Sequence, residues 1–413
     1  MSNKKKIIVI GAGPAGVSAG ISAAHAGDSV EIYEKMPRPA LKLLASGGGR
    51  CNLTNLSDMD GFINAYGRYG RFCLPSLKIL PPWKLISFLA ERGVNTFSPD
   101  GFHIFPKSNK SSDILGALLL ECEKLGIRIR CESPVEEISV KDGAVAGVFC
   151  RGFEECDKLV IASGGMGYPS LGGGTRGYEL AKSAGHSIVA PVPALVEIHL
   201  CGNPFPELSG ISLHNIKLSV TSGRNSIESS GILLFTHNGI SGPAILDVSG
   251  KVNRLIYEKK HYEARLSFLS TIDENSWREL FKKWRKDNGA KKTANLLAEF
   301  FPLSFARKIS AIAGSENKTA AEITSSETST LSETLAKFKL SFSVSEDFEK
   351  AMVTNGGVST REINPDTLES KIVKGLHFAG ETIDIDGPCG GYNLQWAFSS
   401  GWLAGSKIPT GKF

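Results

Sequence analysis

The run Lys6-Ile7-Ile8-Val9-Ile10 feeds directly into Gly11-Ala12-Gly13-Pro14-Ala15-Gly16, and an acid, Glu34, stands 18 residues beyond Gly16 at the end of Val30-Glu31-Ile32-Tyr33-Glu34. The chemistry served by that spacing is the binding of a dinucleotide. Gly11 permits the tight turn, Gly13 lets a pyrophosphate approach the backbone, and Gly16 lets a helix pack closely on its strand. Ala12, Pro14 and Ala15 complete the loop and open a helix whose unpaired N–H groups and positive end suit a phosphate. Glu34, followed by Lys35, would accept hydrogen bonds from two ribose hydroxyls, and its charge would repel a 2′-phosphate. A plain strand–turn–helix explains the glycines but not the acid at this distance. A secretory leader is not expected either: three lysines precede the apolar stretch, but Gly-Pro-Ala-Gly breaks it and Ser18, Ser22 and His25 interrupt it.

Two further clusters could act on the same ligand. Lys42-Leu43-Leu44-Ala45-Ser46-Gly47-Gly48-Gly49-Arg50-Cys51-Asn52 can bring backbone N–H groups from Ser46, Gly47, Gly48 and Asn52 against a cofactor, with Arg50 as a fixed positive charge and Lys42 as a further contact. Near the end, Leu376-His377-Phe378-Ala379-Gly380-Glu381 reads as a strand ending in Gly-Glu, and Gly390-Gly391-Tyr392-Asn393-Leu394 starts a helix. With a single dinucleotide fingerprint, no separate NAD domain is expected, and FAD is the dinucleotide that suits a pocket built from both ends. Glu381 would hydrogen-bond the ribityl chain. The helix start at Gly391-Tyr392-Asn393 would stabilise negative charge on the N1/C2=O edge of a reduced flavin. Ala162-Ser163-Gly164, after the apolar Leu159-Val160-Ile161, should close over the adenosine half. Cys389 directly precedes the last helix and is the candidate catalytic residue, since a thiol there could protonate a substrate carbon; a structural role is its alternative. Cys51 is a candidate of the same kind, while His237 and Lys107 are candidates for substrate contact, with a hydrogen-bonded histidine and a surface lysine as the alternatives.

The elements that must position these residues follow from periodicity. Residues 83–92 and 112–125 read as amphipathic helices, and Val135–Val140 and Ala144–Cys150 flank Lys141-Asp142-Gly143 as a hairpin. From about Pro191, short alternating segments (Val196–Leu200, Ile216–Val220, Ile232–Phe235) suggest a barrel-like β domain. Residues 273–335 turn helical, with Trp277, Leu280, Phe281 and Trp284 on one face, and the polar run Thr319–Thr334 carries start signals such as Ser329 to Glu333. The expected architecture is α/β: a Rossmann-type FAD-binding domain split between residues 1–190 and 350–413, a β-barrel-like domain at 191–272 and 336–349, and a helical insertion at 273–335.

At 413 residues the chain can hold two or three domains. No stretch approaches the ~18 apolar residues of a membrane span. The charge of +5, from 47 basic and 42 acidic residues, is too mild to imply nucleic acid. Eight cysteines without a C-x-x-C pair or metal-ligand spacing read as reduced thiols in the cytoplasm, and no metal site is expected.

The chain resembles the BaiN/RdsA-type family of FAD-dependent oxidoreductases, which includes proteins described as aminoacetone oxidases. The residues that carry the resemblance are Leu43 to Asn55, Phe105-Pro106-Lys107-Ser108, Leu234 to Ala244 and, most strongly, Gly380-Glu381-Thr382-Ile383-Asp384-Ile385-Asp386-Gly387-Pro388-Cys389-Gly390-Gly391-Tyr392-Asn393-Leu394-Gln395-Trp396-Ala397. These blocks span essentially the whole chain. The resemblance implies a FAD domain, a barrel-like domain and a helical insert. It also implies cofactor contacts at Asp386 and Leu394 and main-chain contact with adenine near Val135. Two departures stand out: Ala40-Leu41 where the family more often has a basic residue, and Asn238 where an aromatic is common.

The function this suggests is transfer of electrons from NAD(P)H, as a transient reductant, through flavin N5 to an unsaturated or carbonyl-type acceptor. Three alternatives stand beside it: a ribosomal RNA dihydrouridine synthase, a small aminoketone or amine oxidase, and a non-enzymatic FAD-binding sensor. The RNA alternative draws on nine basic residues (Arg278, Lys282, Lys283, Arg285, Lys286, Lys291, Lys292, Arg307, Lys308) that could grip phosphates; a solvated helix face is the plainer reading.

Overall fold

A computed structural model describes residues 4–343 and 347–407; residues 1–3, 344–346 and 408–413, which the expected domain ranges include, lie outside the described residues. The chain divides into two compact units, residues 1–191 with 347–413, and 192–346.

The first unit is built on a five-stranded parallel sheet. Its strands run in the order Leu376–Phe378, Lys158–Ile161, Lys6–Ile10, Ser29–Tyr33, Arg128–Arg130. Central strands covered on both faces need uninterrupted apolar residues, and Ile7, Ile8, Val9, Leu159, Val160 and Ile161 are all fully buried. Against this sheet lies the helix Pro14–His25, and against that helix lies the last one, Tyr392–Gly405. The two helices pack unusually closely. A β-carbon on Gly401 would lie 2.1 Å from Ala15 O, and one on Gly405 2.1 Å from Ala19 O. Small residues every fourth position on both helices let the backbones touch, and Ser18 Oγ donates to Phe398 O at 2.7 Å across the contact.

The strand order fixes where ligands can bind. Lys6–Ile10 leads into a crossover on one side, and the chain's later strands add on the other. In such sheets the crevice opens beyond the carboxyl ends of the strands at that switch point. Ile10, Tyr33, Ile161 and Phe378 are the carboxyl ends of four of the five strands. Gly11, Glu34, Ala162 and Ala379 therefore follow at one edge of the sheet.

The second unit holds a six-stranded antiparallel sheet, in the order Ile198–His199, Gly239–Ser241, Asn225–Phe235, Ser212–Ser222, Glu263–Ser267, Phe338–Leu340. Its two edges meet. Cys201 N–H donates to Ser341 O (2.8 Å) and Ser343 N–H to His199 O (3.0 Å), around a bridge between Leu200 and Phe342. The two central strands are eleven residues each, longer than the sequence segments suggested, because Ser222 and Asn225 close a tight hairpin around Gly223 and Arg224.

Helices Glu274–Asp287, Thr293–Leu297, Leu303–Ile312 and Ser325–Lys337 share one apolar core with this sheet. Trp277, Phe281 and Trp284 are buried within it. The start signal expected at Ser329–Glu333 falls inside the last of these helices. The helix begins instead at Thr324, whose hydroxyl accepts from Glu327 N–H while the Glu327 carboxylate accepts from Thr324 N–H. A capping box works only where the preceding residue is extended, and Thr324 is extended at ψ 166°. No helix among the described residues is long and apolar enough to cross a membrane.

Candidate active site

The first glycine loop is held in place before any ligand arrives. Gly11 has φ +100°, its N–H donates to Tyr33 O at 2.8 Å, and a β-carbon there would lie 2.5 Å from Ala162 O. Gly16 is tighter still, since a β-carbon would lie 1.8 Å from Gly11 O. Gly13 differs from both. Its φ is −74°, which any residue adopts, and a β-carbon would meet nothing within 4 Å. Internal packing therefore gives no reason for a glycine at 13; a ligand pressed against the backbone does. Pro14 occupies the first helical position without an N–H to satisfy, and the first-turn amides of Ala15 and Gly16 have no acceptor in their own helix.

Glu34 braces this loop. Oε2 accepts from Ala12 N–H at 2.7 Å and Oε1 from Met36 N–H at 2.8 Å. Each carboxylate oxygen keeps a lone pair for a further donor. Its neighbour Lys35 points elsewhere, donating to Gly173 O at 3.3 Å.

The second glycine loop is a left-handed turn. Gly47, Gly48 and Gly49 have φ of +57°, +65° and +86°, and Cys51 follows at +60°. Ser46 Oγ donates back to Leu43 O. The exposed Arg50 lies over the Phe105 ring, 5.1 Å from its centre. Cys51 is fully buried, and burial pushes its thiol up to about 12, so it offers no thiolate at neutral pH. The Asn52 amide, oriented to satisfy both its ends, donates to Thr54 O and accepts from Gly391 N–H. The second glycine loop is thereby tied to the last helix. Lys42, one turn earlier, reaches Glu381.

Gly380 is clamped by the last helix. Its N–H donates to Ser400 Oγ (2.9 Å) and its carbonyl accepts from Trp396 Nε1 (3.1 Å). The side chain of Glu381 is turned the other way, with Oε1 accepting from Thr354 N–H at 2.7 Å. Asn393 uses its amide on the turn before it, accepting from Gly387 N–H and donating to Gly387 O. Asp386 accepts from Asn355 Nδ2 at 2.7 Å. The Tyr392 hydroxyl pairs with Ser57 Oγ at 2.9 Å, and its carbonyl accepts from Tyr66 OH. Leu394 packs on the apolar core. Cys389 is half-buried at the head of this helix.

On the opposite flank, Ala162 continues its strand through an N–H to Ile10 O, and Gly164 turns at φ +75° with its N–H on Thr382 Oγ1. The Ser163 hydroxyl also meets Thr382 Oγ1, at 3.3 Å. Val135 is buried. Lys107 and, in the second unit, His237 are exposed. Of the nine basic residues there, Arg278, Lys282, Arg285 and Lys308 are engaged with Glu274, Glu279, Ile323 O and Glu207. Lys283, Lys286, Lys291, Lys292 and Arg307 are exposed.

The residues present fit FAD. Gly13 leaves a cradle that a β-carbon would fill, and the buried Thr54 Oγ1, beside Gly391, has no partner among the described residues. Several supporting residues had no signal in the sequence. Thr354 and Thr382 hold the loops against Glu381 and Gly164, and Asn55 Nδ2 donates to Gly390 O at 2.7 Å. The Gly401/Gly405 spacing that marks the close helix contact went unread in the sequence. His103 and Asp100, paired at 2.5 Å beside Gly390, were also missed.

The model of the HI0933-like protein Rossmann domain matches residues 5–407. A 3-dehydro-bile acid delta(4,6)-reductase of Clostridium scindens is 31% identical over 97% of this chain and 98% of its own length. A ribosomal RNA dihydrouridine synthase of Escherichia coli is 30% identical over 98% of each. Among solved structures, a 3-ketosteroid delta1-dehydrogenase from Sterolibacterium denitrificans shares the fold, with a TM-score of 0.53 at 14% identity over 98% of this chain and 99% of that one.

Proposed function

The chain belongs to the HI0933-like Rossmann family of flavoprotein oxidoreductases, and from that premise we propose that it takes electrons from NAD(P)H and reduces a carbon–carbon double bond conjugated to a carbonyl. The observation that carries the cofactor half is Gly13, a glycine with ordinary φ facing open space at the start of the first helix. Glu34 would hold the adenosine ribose, and the first-turn amides of Ala15 and Gly16 the pyrophosphate. Glu381 would take the ribityl hydroxyls, and Gly391, Tyr392 and Asn393 would bring the positive end of a 14-residue helix to the isoalloxazine. When bound, FAD supplies a two-electron hydride transfer.

The acceptor class rests on the relatives. One relative is named a 3-dehydro-bile acid delta(4,6)-reductase and another a ribosomal RNA dihydrouridine synthase, and we read from both names the reduction of a double bond conjugated to a carbonyl. The sequence carries no C-x-x-C pair, which favours direct transfer from cofactor to acceptor over a dithiol relay. Purified protein is expected to be yellow and to bleach anaerobically with NADH or NADPH. A colourless protein that takes up no added FAD overturns the reading.

The exposed Lys283, Lys286, Lys291, Lys292 and Arg307 favour one second reading, in which the reduced ring is a uridine in ribosomal RNA. Dihydrouridine mapping in ribosomal RNA from a deletion strain decides between the two: loss of one site supports RNA, and an unchanged map leaves the small-molecule acceptor.

A further inference from the structure

We propose that His103, oriented by Asp100, is the proton donor of the flavin half of the site, a role that rests on the FAD reading above. The strand His103–Pro106 pairs with Thr54–Asn55, with Asn55 opposite His103. Asn55 Nδ2 in turn donates to Gly390 O at 2.7 Å. Strand pairing and side-chain bond together carry His103 to the turn that starts the last helix. There a β-carbon on Gly390 would lie 3.3 Å from His103 Nε2. Glycine at 390, with φ +111°, keeps a side chain off His103 Nε2.

The other ring nitrogen is fixed. His103 Nδ1 lies 2.5 Å from Asp100 Oδ2, while Asp100 Oδ1 accepts the N–H groups of Phe102 and His103 at 3.0 and 2.9 Å. A carboxylate held by two backbone donors sets the tautomer and tilt of the imidazole. The His103 contact, followed by those two N–H groups, keeps the Asp100 carboxyl well below the usual carboxylate range. The other charged or titratable groups nearby are Arg50, on the adjacent Phe105 ring, and Cys389, which precedes Gly390. The Tyr392 hydroxyl is taken by Ser57.

The step balances. In reduction of a double bond conjugated to a carbonyl, the β-carbon would receive hydride from a bound FAD that NAD(P)H would supply with two electrons. The α-carbon receives the proton from His103 Nε2. The imidazole, whose side chain is 35% exposed, regains a proton from solvent. Asp100 touches neither substrate nor cofactor and is a positioning residue.

The test uses the full chain loaded with FAD, as wild type, His103→Gln and Asp100→Asn. It follows the midpoint potential and absorbance of the bound flavin from pH 5 to 9. Wild type should show a break in these pH profiles, and His103→Gln should lose it with FAD affinity unchanged within about threefold. Asp100→Asn should shift the break along the pH axis, because it removes the carboxylate that orients the ring. The same break in wild type and His103→Gln, or an unmoved break in Asp100→Asn, overturns the proposal. If His103→Gln fails to fold, Asp100→Asn alone decides, since it keeps the imidazole. Failure of wild type to bind FAD would bring down the cofactor reading instead, and is distinguishable on that ground.

Discussion

Lys42 Nζ lies 2.8 Å from Glu381 Oε2, joining two residues 339 positions apart across the candidate cofactor groove. Both side chains are less than a third exposed, and the second oxygen of Glu381 is fixed by Thr354 N–H. The pair therefore presents an oriented carboxylate. Glu381→Gln keeps an acceptor for Thr354 and loses the charge. It should lower the stability of the apoprotein by only about 1 kcal/mol. FAD affinity should fall about tenfold or more, equivalent to about 1.4 kcal/mol. Flavin fluorescence titration beside a thermal melt separates the two effects, and equal affinity in both proteins counts against a ribityl contact.

Gly13 and Gly16 belong to one motif but answer to different constraints. Gly13→Ala places a methyl in open space, so the apoprotein melt should move by less than about 1 kcal/mol while FAD binding drops sharply. Gly16→Ala drives a methyl into Gly11 O. That overpacking should cost about 3 kcal/mol or more and abolish folding before binding can be asked about. Melting both variants without FAD, then titrating the one that folds, checks the division of labour.

These contrasts mark what the sequence could convey. The parallel strands and the order of loops were legible because apolar runs and glycine spacing are local patterns. Glu34 was also legible, since its distance from Gly16 is set by one helix and one strand. Asn55, Thr354 and Thr382 were not, because their roles depend on segments brought together only by the sheet edge. The pairing of Asp100 with His103 was local, three residues apart, yet nothing before folding places it beside Gly390. The true start of the helix at Thr324 was missed because Ser/Thr-x-x-Glu recurs within the same polar run, and only the extended backbone at Thr324 selects one copy.

The helix contact at Gly401 and Gly405 gives a third prediction. Either glycine changed to alanine would push a methyl to 2.1 Å from a carbonyl oxygen of the first helix. The proposed pyrophosphate contact lies at the N-terminus of the first helix, so Gly401→Ala, opposite Ala15, should weaken FAD binding more than Gly405→Ala, opposite Ala19. Both should lower the melting temperature to a similar extent. Equal affinities in the two variants would mean the strain is absorbed before it reaches the loop.

Thiol chemistry offers a fourth. Cys51, Cys73, Cys122 and Cys156 are buried, and desolvation raises each thiol above its ordinary value. Brief alkylation of the native protein at pH 8 should modify the exposed Cys201 first and leave Cys51 untouched, since the thiolate is the reactive species. Peptide mapping after unfolding in a second label reads the order. Early modification of Cys51 would show that its loop opens.

The last prediction concerns acid. Arg92 Nη2 donates to Glu121 Oε1 at 2.6 Å, His25 Nε2 lies 3.2 Å from the same oxygen, and the glutamate side chain is 8% exposed. The Arg92 hydrogen bond is the largest influence and holds the Glu121 carboxyl below its ordinary 4.5. A carboxyl lowered on folding binds fewer protons in the native state than in the unfolded one, so stability rises with pH across the interval between the two values. Its contribution is thus complete above pH 4.5 and disappears as the pH falls through the lowered native value. Glu121→Gln should therefore be less stable than wild type by about 1.5–3 kcal/mol at pH 6. The two denaturation curves should converge as the pH is taken down toward 3. A gap that stays constant over that range would show that the loss comes from packing of the side chain, because an ionic partnership must vanish once its carboxyl is protonated.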